Sequence, residues 1–425
     1  MPEFLRLLPP DDALGLLLSH VSGPLTDSES IPTALALGRV LADDIIAPHP
    51  LPEFPRSTMD GYAVGARDTF GAADSLPAYL NLVGEVPMGA APAFDLQGGQ
   101  CALIHTGGML PRGADAVVML EYVQSSRPNE IEVLRAVAAG ENVIQSGEDV
   151  GAGAVVLPRG RRLRPAEIGG LMALGIVELQ AVRKIRVAII SSGDEVVDPA
   201  RRPGPGQIRD VNGYTLAALV SQSGGEAVPC GIVPDQIQAL KESAARALAA
   251  CDIVLISAGS SASTRDMTAE VIGSLGRPGV LVHGINTRPG KPTILGVCDG
   301  KAVIGLPGNP VSALVNGYLF VVPAIEMLLG VPQGRPRPTV MARLTLNLAS
   351  QAGREDWIPV KLSAAHDSFS GRTGQQDAGT GSWEAEPIFG KSNLIFTLAA
   401  ADGLLRIPPD ATGVSAGEMV EVLLI

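Results

Sequence analysis

An α/β plus β chain of several domains is the fold class this sequence predicts, on three observations. Residues 183–330 alternate buried-type strands with helical stretches, residues 51–139 hold short β-rich runs parted by Gly/Pro turns, and residues 331–425 return to strand-like runs. At 425 residues the chain is longer than one core usually organises, and about 150 residues per domain gives about three domains. With 46% hydrophobic and 18% charged residues it is neither disordered nor fibrous. Its 32 basic and 44 acidic side chains leave a net charge of -12, which excludes nucleic acid and anionic membrane as expected partners. Any polyanionic ligand therefore needs a local basic pocket.

Residues 1–50 begin with Glu3, Asp11 and Asp12 around a short apolar run, without the basic flank and cleavage site of a secretory leader. Residues 140–182 are grouped with them. They contain a strand at 154–157 and then a helix that starts at Arg164-Pro165, where proline suits the first turn, and ends near Gly175. Between these two pieces lies the β-rich module of 51–139, with runs at 101–104, 116–119 and 131–134. Cys101, Cys230, Cys251 and Cys298 are scattered, without zinc or disulfide spacing, so a reducing, cytoplasmic setting is expected.

In the α/β region the predicted order is a strand at 184–190, a helix at 214–222, a strand at 227–233, a helix at 235–250 and a strand at 253–256. Strands at 280–282, 293–297 and 302–304 follow, then a helix from Pro310. This alternation predicts an open, mostly parallel sheet with helices on both faces and its ligand at the carboxyl ends of the strands. The apolar stretch 313–330 is interrupted by Asn316, Pro323 and Glu326, which suits a buried helix rather than a membrane span. In the last region, residues 332–338 read as a linker, 366–380 as an exposed loop, and 357–361, 404–407 and 420–424 as strands.

The residues able to do chemistry sit in loops that follow strands. Ser191-Ser192-Gly193-Asp194-Glu195 puts two carboxylates at the ligand end of the sheet, unless it is only a polar turn. In Arg209-Asp210-Val211-Asn212-Gly213, either Asp210 or Asn212 could serve simply as a helix N-cap. The run from Ser257 through Gly259 and Ser261 to Asp266 has small residues that let backbone amides approach an anion. Arg288-Pro289-Gly290-Lys291 adds two cations to an acidic chain, as a phosphate site would, although a basic surface turn has the same composition. Pro307-Gly308-Asn309-Pro310 joins a strand to a helix whose N-terminal amides face outward. Like charges ~4 Å apart repel by roughly 4 kcal/mol at an effective dielectric of 20, so carboxylates converging beside a phosphate call for a divalent cation. Oxygen donors favour Mg²⁺ over zinc.

Together these motifs resemble the molybdopterin molybdenumtransferase family, which includes the E domain of gephyrin. The resemblance covers nearly the whole chain. It rests on Pro55-Arg56-Ser57-Thr58-Met59-Asp60-Gly61-Tyr62-Ala63, Ile104-His105-Thr106-Gly107-Gly108, Gly113-Ala114-Asp115-Ala116-Val117-Val118-Met119, Gly147-Glu148-Asp149, Ser192-Gly193-Asp194-Glu195, Pro289-Gly290-Lys291-Pro292 and Gly305-Leu306-Pro307-Gly308-Asn309-Pro310. It implies an elongated homodimer of four domains (1–50 with 140–182, 51–139, 183–330 and 331–425). The third would bind molybdopterin and the fourth would be a β-barrel.

The implied reaction takes adenylylated molybdopterin and molybdate, cleaves the phosphoanhydride with Mg²⁺, and releases AMP and molybdenum cofactor. The resemblance implies catalytic roles for Asp60, Thr106, Glu195 and Asp266, with Glu195 and Asp266 on the metal. It implies substrate contacts by Asp149, Asp210, Asn212, Ser257, Gly259, Ser261, Arg288, Lys291, Pro307, Gly308, Asn309 and Pro310. Asp60 and Thr106 of one subunit would meet the remaining groups of its mate, with molybdopterin adenylyltransferase and molybdoenzyme maturation factors as further partners.

The chain departs from the family at Ser257-Ala258-Gly259-Ser260-Ser261-Ala262-Ser263, where Ser-Gly-Gly-Val-Ser-Val-Gly is usual, and at Arg288, where lysine is usual. A gephyrin-like scaffold is the reading from another class, and the 4% aromatic content offers it little surface. An adenylyltransferase acting on the same ligand is a third reading, against which the flanking modules count. Tungstate would meet the same donors as molybdate.

Overall fold

The computed structural model describes residues 7–259, 262–332, 337–364 and 383–425, which divide into two compact units. The larger, Met1–Glu29, Gly38–Val40 and Ala181–Ile425, opens with helix α1 (Pro10–His20). Pro10 starts that helix, Asp11 and Asp12 in its first turn complement the helix dipole, and Ala13 and Leu17 are buried.

The smaller unit, Ser30–Leu37 and Leu41–Gln180, is built on a six-stranded sheet. Its strands are β1 (Gly61–Val64), β2 (Ala78–Glu85), β3 (Gln100–Ile104), β4 (Ala116–Met119), β5 (Val123–Arg127) and β6 (Glu130–Val133), in the order β4-β1-β3-β2-β6-β5. Only β2 and β3 run parallel. Side chains alternate between two apolar layers, Val64, Cys101, Ala116 and Val118 on one face and Ala63, Ala102, Ile104 and Val117 on the other. Burial on both faces is why these strands read as continuous apolar runs. Gly61 lies so close to the Val118 carbonyl that a Cβ would collide with it. That approach explains a glycine directly after Asp60. Helix α2 (Pro165–Ala173) begins at the proline expected to start it and buries Glu167 between two arginines.

The α/β part of the larger unit holds β7 (Ile185–Ser192), α3 (Asn212–Gln222), β8 (Gly225–Val233), α4 (Ile237–Ala250), β9 (Ile253–Ala258), α5 (Ala262–Leu275), β10 (Pro278–His283), β11 (Thr287–Arg288), β12 (Ile294–Cys298) and β13 (Lys301–Pro307). The sheet order is β8-β7-β9-β13-β12-β10, with the first three pairings parallel and the last two antiparallel. Strand β12 returns to β13 through Asp299-Gly300, both at positive φ, the two-residue hairpin geometry. Helices α4 and α5 pack on Ala188, Ile190, Val254 and Ile256, while α3 contacts β7 and β8 together with the helix after β13. The register sets Ser191 beside Ser257, and Ser257 beside Leu306, so three strand ends open at one level.

The rod after β13 consists of α6 (Pro310–Asn316), a π-turn at Gly317–Val321 and α7 (Val322–Leu328). By length and composition it could cross a membrane, yet 72% of it is buried, as a core helix would be. The C-terminal strands are β14 (Thr339–Leu344), β15 (Glu355–Ala364), β16 (Trp383–Pro387), β17 (Gly403–Ile407) and β18 (Met419–Leu424). They pair as β15-β16-β14-β18-β17 and close again on β15, giving the β-barrel around Leu344, Val360, Leu405 and Val422. Strand β11 joins this barrel by pairing parallel to β15. The core of the linker, 333–336, and the loop 366–380 lie outside the described residues.

Candidate functional site

At the carboxyl ends of β7, β9 and β13 lies a cavity of about 500 Å³. Its lining includes Ser191, Ser192, Glu195, Arg209, Asp210, Asn212, Ser257, Gly259, Gly308, Asn309, Pro310 and Asn393. This is where a doubly wound sheet binds its ligand. Asn212, in the first turn of α3 and only 6% exposed, ties the ends of β9 and β13 together. Its Nδ2 donates to Ser257 Oγ at 2.7 Å and to the Gly308 carbonyl at 2.9 Å. It is a staple rather than a helix cap.

Asp210, one residue before the N-cap Val211, bonds into the start of the helix instead. It accepts the Gly213 amide at 2.9 Å, and its second oxygen accepts the Ser191 hydroxyl at 2.7 Å. Asp194 accepts the Asp235 amide at 3.2 Å and is not among the lining residues, so of the two neighbouring carboxylates only Glu195 faces the cavity. The Glu195 carboxylate has no hydrogen bond or ion pair among the described residues. A bare carboxylate beside hydroxyls and a carboxamide fits a hard, oxygen-loving cation. Among the described residues, however, no three His, Cys, Asp or Glu side chains gather closely enough to hold a metal unaided.

The other residues selected from the sequence are placed differently. Pro307 lines a small void with Gly259, Thr268 and Pro292 just below the cavity. Asp266 is exposed on α5 and does not line the cavity, and Ser261 lies outside the described residues. Exposed Lys291 and Arg288 belong to the loop around β11, where Arg288 Nη1 stands 3.8 Å from the buried carboxylate of Asp356. Arg354 already holds Asp356 at 2.8 Å, so Arg288 stays 64% exposed and able to meet an anion. Gly290, at φ +107°, approaches the Asn316 carboxamide, which leaves no room for a Cβ.

Two contributors were missed in the sequence. Asn309 donates to Ser392 Oγ at 3.0 Å, the Val311 amide donates to the Ser392 carbonyl at 3.0 Å, and Asn393 lines the cavity. These residues lie more than eighty positions downstream, and no local pattern marks them. A second cavity of about 380 Å³ lies between α1 and the barrel, around Asp11, Leu14, Trp357 and Arg406, and holds none of the selected residues.

In the smaller unit, Asp60 and Thr106 come together where β3 ends and β1 begins. Asp60 Oδ1 accepts the Thr106 amide at 2.7 Å and its hydroxyl at 3.0 Å. The amide, then the hydroxyl, hold the Asp60 carboxyl below its ordinary range, with His105 acting in the same direction. Asp149 is exposed in a separate loop, its amide bonded to the Leu51 carbonyl. All four thiols are free, and burial pushes each upward, Cys101 to about 12 and Cys298 to about 11, which makes them poor nucleophiles.

Comparison with known proteins agrees along the whole chain. Residues 8–175 match the family described as "MoeA N-terminal region (domain I and II)", 188–327 the "Probable molybdopterin binding domain", and 341–425 the "MoeA C-terminal region (domain IV)". Molybdopterin molybdenumtransferase 2 of Mycobacterium tuberculosis is 34% identical over 92% of this chain and 94% of its own. The chain belongs to the molybdopterin molybdenumtransferase (MoeA) family. A molybdopterin molybdenumtransferase of Haemophilus influenzae is 32% identical over 97% of each chain. The crystal structure of the MoeA protein from Pyrococcus horikoshii OT3 superposes with a TM-score of 0.83 at 33% identity, covering 99% of this chain and 100% of that one. The C-terminal β-barrel and the mixed sheets are thus family features, and the Glu195 cavity, apart from Asn393, is lined by the segment matching the molybdopterin-binding domain.

Proposed function

We propose that this protein is an enzyme of molybdenum cofactor biosynthesis that inserts molybdate into molybdopterin. The observation that carries the reading is the cavity at the strand ends, with the Glu195 carboxylate unpartnered beside Ser257, Asn212 and the N-terminus of α6. Adenylylated molybdopterin is the proposed substrate, with AMP and molybdenum cofactor the products. Amides around Gly308 and Asn309, with Lys291 and Arg288, would meet its phosphates. Glu195 and Asp266 would hold Mg²⁺, which neutralises charge on the anhydride when bound. Asp60, fixed by Thr106, would orient molybdate.

We further propose a homodimer in which Asp60 and Thr106 of one copy complete the cavity of the other, a four-domain division as set out above, and a cytoplasmic location. The test is to incubate the purified protein with Mg²⁺, molybdate and either molybdopterin or its adenylylated form. AMP release and cofactor formation from the adenylylated form alone are expected. Consumption of the non-adenylylated ligand with ATP would instead mark an adenylyltransferase. Unchanged cofactor formation by Asp60→Ala or Glu195→Ala would overturn the residue assignment.

A further inference from the structure

The Ile104-His105-Thr106 turn carries a side chain that the proposed reaction does not use. The His105 imidazole stands between two carboxylates from other elements. Its Nε2 is 3.1 Å from Glu85 Oε1, at the end of β2, and its Nδ1 is 3.8 Å from Asp60 Oδ1, in the turn before β1. These are the charged groups within ion-pair reach of the ring among the described residues. The same Asp60 oxygen also accepts the amide and hydroxyl of Thr106, the residue that follows His105. One carboxylate oxygen is therefore held by backbone and hydroxyl, with the ring at ion-pair distance from it, and the ring is held from behind by Glu85.

Nothing in the fold of this turn requires an imidazole. His105 is 41% exposed by side chain, packs into neither apolar layer of the sheet, and makes its hydrogen bond to an exposed glutamate. Its position suits a charge task. A molybdate or phosphoanhydride that approaches Asp60 is anionic, and a lone carboxylate would repel it. A protonated ring beside Asp60 offsets that charge, its Nε2 bonded to Glu85 and its Nδ1 at ion-pair distance from Asp60. The neutral ring has one donor only. If Nε2–H stays on Glu85, Nδ1 then turns a lone pair toward Asp60, and the carboxylate loses its counter-charge.

We infer that His105 is a positioning residue for Asp60, anchored by Glu85, and that its protonated form sets Asp60 for the anionic substrate. The inference rests on the proposed role of Asp60 in the site. It predicts that the alkaline limb of kcat/KM contains a step that depends on the His105 ring, above which the carboxylate is less well held.

The test has two arms on the full-length protein. In the first, kcat and KM for AMP release are measured from pH 5.5 to 9 in wild type, His105→Gln, His105→Lys and Glu85→Gln. His105→Gln should lower kcat/KM about 10-fold at pH 5.5 and hardly at all at pH 9, erasing the step. His105→Lys, which keeps its charge across the range, should restore part of the lost activity without restoring the step. In the second, the amide resonance of Thr106 is followed against pH without substrate. Its hydrogen bond to Asp60 should make it move with pH in a ring-dependent step in wild type, by a smaller amplitude in Glu85→Gln, and not at all in His105→Gln.

A uniform fall in activity at every pH in His105→Gln, or a Thr106 resonance that titrates identically in that variant, overturns the inference. If the Thr106 resonance behaves as expected while Asp60→Ala leaves product formation intact, the relay stands as a structural fact. It is then the catalytic placement of Asp60 that fails.

Discussion

Asn212→Ala tests whether the staple between the ends of β9 and β13 holds the candidate site in shape. The change removes donors to Ser257 Oγ and to the Gly308 carbonyl. Two net hydrogen bonds are worth about 1 kcal/mol each, and a buried acceptor left without a partner costs about 1–3 kcal/mol more, so a local loss of about 3 kcal/mol is expected. At about 1.4 kcal/mol per factor of ten, that corresponds to roughly 100-fold faster opening of the loops. Hydrogen–deuterium exchange of amides 257–259 and 308–311 is the direct assay, because a protein of two units need not unfold in one step. Exchange should accelerate there and not in the barrel strands, and the KM for the adenylylated ligand should rise with it. Asn212→Asp keeps the shape but turns an acceptor toward the Gly308 carbonyl, so its exchange should be at least as fast. Wild-type exchange and KM in both variants would refute the reasoning.

Other outcomes follow from single contacts. Arg164 first, then Arg161, hold the buried Glu167 carboxyl down at about 2 against the desolvation that opposes them. Because its folded value is depressed, this stabilisation is complete above the ordinary carboxylate range and disappears as pH falls from about 4.5 toward 2, a span worth about 3 kcal/mol. Melting of the smaller unit should therefore lose stability steeply across that window, and Glu167→Gln should be weaker at pH 7 and less acid-sensitive. Glu195→Gln removes the bare cavity carboxylate, so the Mg²⁺ concentration giving half-maximal AMP release should rise at least about 10-fold; an unchanged requirement would place the ion elsewhere. Gly290→Ala meets both a φ of +107° and the Asn316 carboxamide. A loss of about 1–3 kcal/mol is expected, read as raised protease sensitivity of the 286–291 loop.

The sequence was legible where burial is two-sided. Strands β7 and β9 bury nearly every side chain, so 187–190 and 253–256 stand out as unbroken apolar runs, and the helix at Pro310 begins where proline fits a first turn. The antiparallel turn of β12 on β13 was hidden by the strand–helix rhythm before it, although Asp299-Gly300 is a hairpin signal in its own right. Equal residue types also hid unequal duties: Asp194 and Glu195 look alike in sequence, yet one holds a backbone amide and the other faces the cavity. Ser392 and Asn393 could not be found by local reading, since only the closed chain brings them to Asn309.

The barrel does more than terminate the chain. Its strand β15 pairs with Thr287-Arg288, the Glu355 amide bonds to the Asn286 carbonyl, and Ser392 bonds to Asn309 and Val311. Two loops of the α/β region, one bearing Arg288 and the other Asn309, are therefore moored to a neighbour encoded after them. A ribosome that stopped near residue 330 would release a sheet with its binding face adrift, so premature stop codons late in the reading frame should abolish ligand capture without preventing that sheet from folding.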